Sequence, residues 1–119
     1  RSREPVSLVM IDVDHFKSIN DNYGHDAGDQ ILVAITGLVQ REIRDTDVLA
    51  RWGGEEFLII LYNTRPEYLK VFSKKVLNRI STTPLPLKDT TIYKTCSIGC
   101  TKIPMNEKNP DLLTLEQII

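Results

Sequence analysis

The segment VSLVMIDV, residues Val6–Val13, decides the fold that the sequence predicts. Side chains alternate between the two faces of a β-strand, which places Leu8 and Met10 on one face and Val9 and Ile11 on the other. Both faces are therefore apolar, a pattern typical of a central strand that other elements cover on both sides. The segment predicts a sheet with this strand in its interior.

Apolar spacing along the rest of the chain indicates further helices and strands. Gly53 and Gly54 lie between two predicted strands and indicate a tight turn. The order of elements predicts an α+β fold of the ferredoxin-like or palm-type plan, with a central antiparallel sheet flanked by helices. Helices are predicted over residues 16–23, from a cap at Asp26, from Pro66 and from Asp111; strands are predicted over residues 48–52, 57–62 and 91–103, the last interrupted at Gly99.

The composition is that of one soluble globular domain, since the 119 residues are 41% hydrophobic and 26% charged. The net charge of -1 argues against a nucleic-acid partner, which requires a basic face. A small phosphorylated ligand requires only local positive charge and is compatible with these values. Cys96 and Cys100 fall on one predicted strand at a separation of about 13 Å. This is beyond the reach of a disulfide, so both are expected as free thiols packed in the core.

Four acidic residues are predicted to converge at one edge of the sheet. In this plan the first strand is antiparallel to the third, so Asp12 and Asp14 at the end of one meet Glu55 and Glu56 at the start of the other. Gathered carboxylates repel one another unless a cation is present. Oxygen ligands of this kind suit magnesium, and two such ions can activate a hydroxyl and stabilise a leaving group. The alternative interpretation is a set of solvated acids at strand ends.

Three features beside these acids suit a phosphorylated ligand. Gly53 and Gly54 leave the backbone open to close approach, although an ordinary hairpin uses the same dipeptide. Lys17 is placed to meet a phosphate, or else is a solvated helix lysine. The backbone amides after Asp14 begin a helix and form a ready anion site.

Four blocks of the sequence recur in a known order and spacing over nearly the whole chain. The blocks are Gly53-Gly54-Glu55-Glu56-Phe57, Asp12 to Lys17 followed by Asn20, Gly24 to Asp29, and Ser97-Ile98-Gly99. They resemble the GGDEF family of diguanylate cyclases, with the first block as the GGEEF form of its motif. The sequence is therefore identified as a member of this family, and the resemblance implies that it joins two GTP molecules into cyclic di-GMP.

The resemblance implies a role for each matching residue. Asp12 and Glu55 would bind magnesium through their side chains and Val13 through its carbonyl, with assistance from Glu56. Glu55 would also be the base for the ribose hydroxyl. Two Mg²⁺ ions per active site are expected, with Mn²⁺ as an alternative. The implied substrate contacts are Phe16 and Lys17 at the phosphates, Asn20 and Asp29 at the guanine with His25 close by, and Gly53 and Gly54 at the turn; without the resemblance, Asn20 and Asp29 would be interpreted as solvated or helix-terminal residues.

The resemblance also implies that one domain carries half an active site, so that catalysis requires a homodimer. The family's opening and closing blocks are absent, and residues 1–119 are expected to form a GGDEF domain that is incomplete at both ends. A fused sensor or membrane module is expected. The resemblance places the catalytic domain in the cytoplasm and allows an inner-membrane anchor in the whole protein. The rival functions are a module that binds GTP or cyclic di-GMP without turnover, another palm-type cyclase or polymerase, and a structural domain.

Arg44-Asp45-Thr46-Asp47 precedes the glycine pair and resembles the RxxD product-inhibition site of the family. An arginine can bond bidentately to guanine or meet a phosphate, and an aspartate can accept from guanine donors. Arg44 and Asp47 are expected in an exposed helix-to-strand connection that captures cyclic di-GMP. The alternative is a polar turn in which Arg44 interacts with the end of its own helix.

Overall fold

The structure, a computed structural model, describes residues 6–103. Within this range the chain alternates strands and helices in the order that the sequence predicts, with one additional hairpin. The strands are β1 (Val6–Val13), β2 (Val48–Arg51), β3 (Glu56–Tyr62), β4 (Leu85–Leu87), β5 (Thr90–Ile92) and β6 (Cys96–Ile103), and the helices are α1 (Phe16–Tyr23), α2 (His25–Gln40) and α3 (Pro66–Thr82).

The main sheet has four antiparallel strands in the order β2-β3-β1-β6. β1 is therefore an interior strand, hydrogen-bonded to β3 on one side and to β6 on the other. The register pairs Val9 with Ile59 and Asp12 with Glu56 across β1 and β3. The predicted α+β fold, its antiparallel sheet and the pairing of the first and third strands are confirmed.

Alternation along β1 divides its apolar side chains between the two faces of the sheet. Val9 and Ile11 join the main core cluster with residues of α2 and α3, which pack on this face. Leu8 points to the opposite face and is also buried, as is Leu58 of β3. Burying each such side chain stabilises the fold by roughly 1.5–3 kcal/mol. The prediction of a strand buried on both faces is confirmed.

The prediction of one last strand over residues 91–103 is wrong for its first part, because residues 91 and 92 belong to β5 and β6 begins at Cys96. β4 and β5 form a separate two-stranded sheet, whose turn holds Lys88 in the left-handed region at φ 55°. Leu85 and Leu87 of this hairpin are buried in the core beside α2. β6 then runs without interruption through Gly99, because Gly99 keeps its pairing with Met10 of β1.

Two other sequence-based expectations are corrected. α2 begins at His25 with Gly24 as its N-cap, and Asp26 lies in the first turn without a capping role. Cys96 and Cys100 are free, as predicted. Only Cys96 is buried, since Cys100 lies exposed on β6.

The predicted helix start at Asp111 lies outside the described residues. Between residues 6 and 103, no helix is long and apolar enough to cross a membrane.

Candidate active site

The ends of β1 and β3 bring the predicted metal-binding residues together. Asp12 lies opposite Glu56 in the β1–β3 ladder. The amide of Val13 donates to the carbonyl of Glu55 over 3.2 Å, which fixes the residue before β3 beside the end of β1. Asp12, Val13, Glu55 and Glu56 therefore share one edge of the sheet, where the sequence placed them.

The carboxylates at this edge are poorly compensated within the protein. The Oδ1 atom of Asp12 is buried and has no hydrogen-bond partner among residues 6–103. Burial raises the pKa of Glu55, and close contact with the Asp12 carboxyl and the charges of Asp12 and Glu56 raise it further. The repulsion between the carboxylates of such a cluster is relieved when a proton or a cation binds.

The donor set fits a hard cation that keeps ligands from outside the protein. Across residues 6–103, no three histidine, cysteine, aspartate or glutamate side chains form a group able to hold a metal ion by themselves. A cation at Asp12 and Glu55 would complete its shell with the Val13 carbonyl, nucleotide phosphates and water. Magnesium is commonly bound in this way, through one or two carboxylates together with substrate phosphates and waters.

Asp14 does not join the other acids, and the prediction of four converging carboxylates is wrong in this respect. Its Oδ2 accepts a hydrogen bond from the Thr95 hydroxyl and its Oδ1 accepts one from the Ser97 hydroxyl, each over 2.7 Å. The hydrogen bond from Thr95, and then that from Ser97, hold the pKa of Asp14 below its usual range. The side chain is thus turned toward β6.

The start of α1 offers main-chain donors beside the acids. His15, its N-cap, adopts a left-handed conformation at φ 55° and makes no side-chain capping bond. The first amides of a helix have no intrahelical acceptor and can bind an anion. The Phe16 side chain is buried in the core, so only its main chain is available to a ligand. Lys17 is exposed and can reach a phosphate.

Asn20 on α1 is held against α2 at Gly28, a glycine for which no role was predicted. Its Oδ1 atom is buried and, within the part of the chain that the structure describes, has no hydrogen-bond partner. A Cβ atom at Gly28 would lie 1.9 Å from that oxygen and 3.0 Å from Phe16 Cζ. A glycine inside a predicted helix was the available signal. Asp29 follows Gly28 and is exposed, as is His25 at the start of α2.

The glycine turn is closed by bonds from residues before it. The Trp52 amide donates to the Glu56 carbonyl over 2.8 Å, and Arg51 Nη2 donates to the Gly54 carbonyl over 2.9 Å. Neither glycine has a positive φ. An added Cβ at Gly53 would meet Glu56 Oε1 at 3.0 Å, so this glycine leaves space for a carboxylate.

Arg44, which is partly exposed, is bonded to the buried side chain of Asp47. The amide and Nε of Arg44 donate to Asp47 Oδ2 over 2.9 and 3.0 Å, and Nη2 donates to Oδ1 over 2.9 Å. Nη2 also donates to the Tyr62 carbonyl over 3.0 Å. The Asp47 side chain is fully buried, so the expectation that both residues are exposed is wrong for Asp47. Arg44 keeps an exposed edge, on a cleft of about 440 Å³ that Thr64 and Tyr68 also line.

Comparison with known proteins agrees with this geometry. The family model "Diguanylate cyclase, GGDEF domain" matches residues 1–116. The chain belongs to the GGDEF family. The edge that carries Asp12, Glu55 and Glu56 is thus the motif-bearing edge of a GGDEF domain.

This GGDEF domain is similar to longer proteins. It is 39% identical over 100 residues to diguanylate cyclase DgcP of Pseudomonas aeruginosa, a match that covers 84% of this chain and 15% of the relative. It spans between 15% and 31% of the length of the first curated relatives that it matches.

Two solved structures are similar to the GGDEF domain. Diguanylate cyclase SiaD from Pseudomonas aeruginosa, in complex with its activator SiaC, is 35% identical with a TM-score of 0.82, over 98% of this chain and 42% of that chain. The GGDEF domain of DgcB from Caulobacter crescentus, in complex with c-di-GMP, is 27% identical with a TM-score of 0.78, over 87% of this chain and 63% of that chain.

Proposed function

We propose that the protein is an active diguanylate cyclase, which condenses two GTP molecules into cyclic di-GMP and releases two pyrophosphates. The observation that carries the proposal is the buried, unpartnered Asp12 oxygen beside Glu55 at an intact GGEEF turn. Carboxylates arranged in this way are suited to a cation that a nucleotide brings with it. Similarity to proteins named as diguanylate cyclases supports the same activity.

The metal site in this proposal uses Asp12 and Glu55 as side-chain ligands, with the Val13 carbonyl and assistance from Glu56. Magnesium, when bound there, would neutralise charge on the phosphates and favour departure of pyrophosphate. Two Mg²⁺ ions per site are proposed, with Mn²⁺ able to replace them.

The substrate contacts in this proposal come from α1, α2 and the turn. The first amides of α1, including that of Phe16, and the Lys17 ammonium hold the triphosphate. Gly53 and Gly54 let the nucleotide approach the acids. Asn20 and Asp29 hydrogen-bond the guanine, with His25 at the rim of the site.

Glu55 accepts the proton of the ribose 3′-hydroxyl in the proposed reaction. The freed oxygen attacks the innermost phosphorus of a GTP held by a facing domain, and the bond from that phosphorus to pyrophosphate breaks. The same step in the opposite direction closes the ring. One domain supplies half of this machinery, so the proposed active form is a homodimer, which a fused sensor module would control.

The test is to incubate the full-length protein with GTP and Mg²⁺ and to identify the product by mass spectrometry. Wild type is expected to form cyclic di-GMP. Glu55→Gln keeps the shape and removes the base, so its rate should fall roughly 10²- to 10⁴-fold. Glu67→Gln, on the exposed start of α3, is the matched control and should keep the wild-type rate. Glu55→Gln turnover within a factor of about two of wild type would exclude Glu55 as the general base.

The alternative is a module that binds GTP or cyclic di-GMP without turnover. The Arg44 cleft favours this alternative, because it provides a guanidinium edge beside Tyr62, at the opposite end of β3 from Glu55 and Glu56. The same assay separates the two functions, since the alternative predicts nucleotide binding by calorimetry without product.

A further inference from the structure

We propose that Asp14 is a positioning residue, which fastens β6 to the turn between β1 and α1 and thereby fixes the phosphate site, and that it is not a metal ligand. The inference deepens the proposed cyclase function and rests on it. It concerns the second acid of the Asp12-Val13-Asp14 sequence, to which the proposed reaction assigns no role.

Asp14 makes three hydrogen bonds to β6 and the residue before it. Its amide donates to the Thr95 carbonyl over 2.9 Å. Its two carboxylate oxygens accept from the hydroxyls of Thr95 and Ser97, each over 2.7 Å. These residues are 81 and 83 positions away in sequence, so the bonds connect the start of the domain with its last described strand. We call these three bonds the Asp14 latch.

The latch directs both carboxylate oxygens of Asp14 away from the metal-binding edge. An ionised carboxylate only accepts hydrogen bonds, and two hydroxyl donors at this distance are strong partners. The carboxylates that act on Glu55 are those of Asp12 and Glu56. To bind a metal beside Glu55, Asp14 would have to give up both hydroxyl bonds.

The turn that the latch holds is strained and adjoins the proposed phosphate site. His15 is left-handed at φ 55°, a conformation that costs about 1–2 kcal/mol for a residue with a Cβ. Such a conformation persists only where surrounding bonds impose it. The latch holds the residue before His15, and Lys94 Nζ donates to the His15 carbonyl over 3.4 Å. The direction of the Val13 carbonyl and of the first α1 amides depends on this turn.

The experiment compares two ways of removing the two carboxylate bonds of the latch in the full-length protein, while the main-chain bond from Asp14 to Thr95 stays in both. Asp14→Ala removes the acceptor, and the double variant Thr95→Val/Ser97→Ala removes the donors while keeping the carboxylate. Thr101→Val, an exposed threonine farther along β6, is the matched control. The measurements are kcat, KM for GTP, the Mg²⁺ concentration at half-maximal rate, and amide hydrogen exchange of residues 14–17 without nucleotide.

Both latch variants should show the same pattern. We expect kcat to fall about 10- to 100-fold, because misplacement of about 1 Å near the reacting groups has this effect. KM for GTP and the half-maximal Mg²⁺ concentration should each change by the same factor in the two variants, since both variants loosen the same turn and leave Asp12 and Glu55 in place. Exchange at residues 14–17 should accelerate in both variants and not in Thr101→Val. Combining all three changes should add little to Asp14→Ala alone.

A metal-ligand role would give the opposite result. Asp14→Ala would then raise the Mg²⁺ requirement strongly, while the double hydroxyl variant would behave as wild type; this outcome, or unchanged exchange in both variants, overturns the proposal. If Asp14→Ala does not fold, the double variant decides. The exchange measurement needs no turnover, so a wild-type protein without cyclase activity would refute the proposed function and leave the latch separately testable.

Discussion

Gly28 lets the Asn20 side chain pack directly against α2, and any side chain at position 28 would abolish this contact. An added Cβ would lie 1.9 Å from Asn20 Oδ1, so Asn20 keeps its position only because α2 has no side chain there. Among the described residues the buried oxygen of Asn20 has no partner, and the proposed function assigns it a donor on the guanine.

We expect the Gly28→Ala substitution to displace Asn20 and to weaken the binding of GTP. Loss of a buried hydrogen bond costs about 1–3 kcal/mol, which corresponds to about a 5- to 150-fold rise in the Kd for GTP with Mg²⁺. The Kd for inorganic triphosphate with Mg²⁺ should change little, because that ligand lacks the base. Gly37→Ala is the matched control, since nothing lies within 4 Å of an added Cβ there. Calorimetry measures both ligands, and equal losses for the two would contradict guanine recognition.

The two thiols should differ sharply in reactivity. Burial, and then the charges of Asp14 and Asp12, raise the pKa of Cys96 to about 12. The thiolate is the reactive form, so at pH 8 the Cys96 thiol stays protonated and shielded, while Cys100 is exposed. We expect iodoacetamide to label Cys100 alone in the native protein, as read by peptide mass spectrometry. In denaturant both should react, and equal labelling of the native protein would refute the assignment.

The positions of some site residues could be predicted from the sequence, and those of others could not. Asp12, Glu55 and Glu56 follow from strand pairing, because period-two alternation and one register fix all three. Asp14 obeyed the same alternation, but hydroxyls of β6 more than 80 positions away capture its side chain. The local sequence around Asp14 does not predict a hydrogen-bond donor that lies so far away in the chain.

At the scale of elements, the Arg44–Asp47 pair fastens the connection between α2 and β2 to the end of β3. Arg44 satisfies the buried Asp47 carboxylate and also donates to the Tyr62 carbonyl. The guanidinium lies 5.1 Å from the centre of the Tyr68 ring on α3. Three elements thus meet at one side chain.

Arg44→Ala should therefore destabilise the fold. The buried Asp47 carboxylate would lose its partner, at a cost of about 1–3 kcal/mol in the free energy of unfolding. The double variant Arg44→Ala/Asp47→Ala should lose less, because no buried charge is left alone. Denaturant unfolding measures both. A double variant less stable than the single one would show that the ion pair is not the origin of the loss.

The same pair bears on product inhibition, which we retain as a proposal. Cyclic di-GMP can contact the exposed edge of Arg44, but it must compete with Asp47 for the bonded edge. Arg44→Ala is expected to abolish binding and inhibition while sparing turnover at low product, with Arg41→Ala as the exposed control. Calorimetric titration and initial rates at rising product measure this. Inhibition that persists in Arg44→Ala would remove the site.

Elements with a strong periodic pattern were predictable, and short ones were not. β1 and α1 have the predicted bounds because their apolar spacing and Gly24 mark them clearly. The β4–β5 hairpin was missed because three-residue strands carry little pattern. Packing of Leu85 and Leu87 beside α2 stabilises it instead.

The molecule as a whole presents one Asp12–Glu55 edge, and the proposed reaction needs two facing each other. Specific activity should therefore rise with protein concentration and level off once dimers predominate. Initial rates over a wide concentration range, alongside sedimentation velocity, measure this. A constant specific activity at concentrations where sedimentation shows monomer would contradict the need for a second domain.

The position of β1 in the sheet has a consequence for how the protein is made. β1 is synthesised before both of its neighbours, because β3 and β6 follow it by long stretches of chain. Ribosomes add about 5–20 residues per second. Several seconds therefore pass between the synthesis of β1, which is apolar on both faces, and the synthesis of β6, which pairs with its second edge. Unpaired apolar strands of this kind associate readily with other chains. During translation, β1 is thus a segment open to chaperones and to other nascent chains on the same messenger.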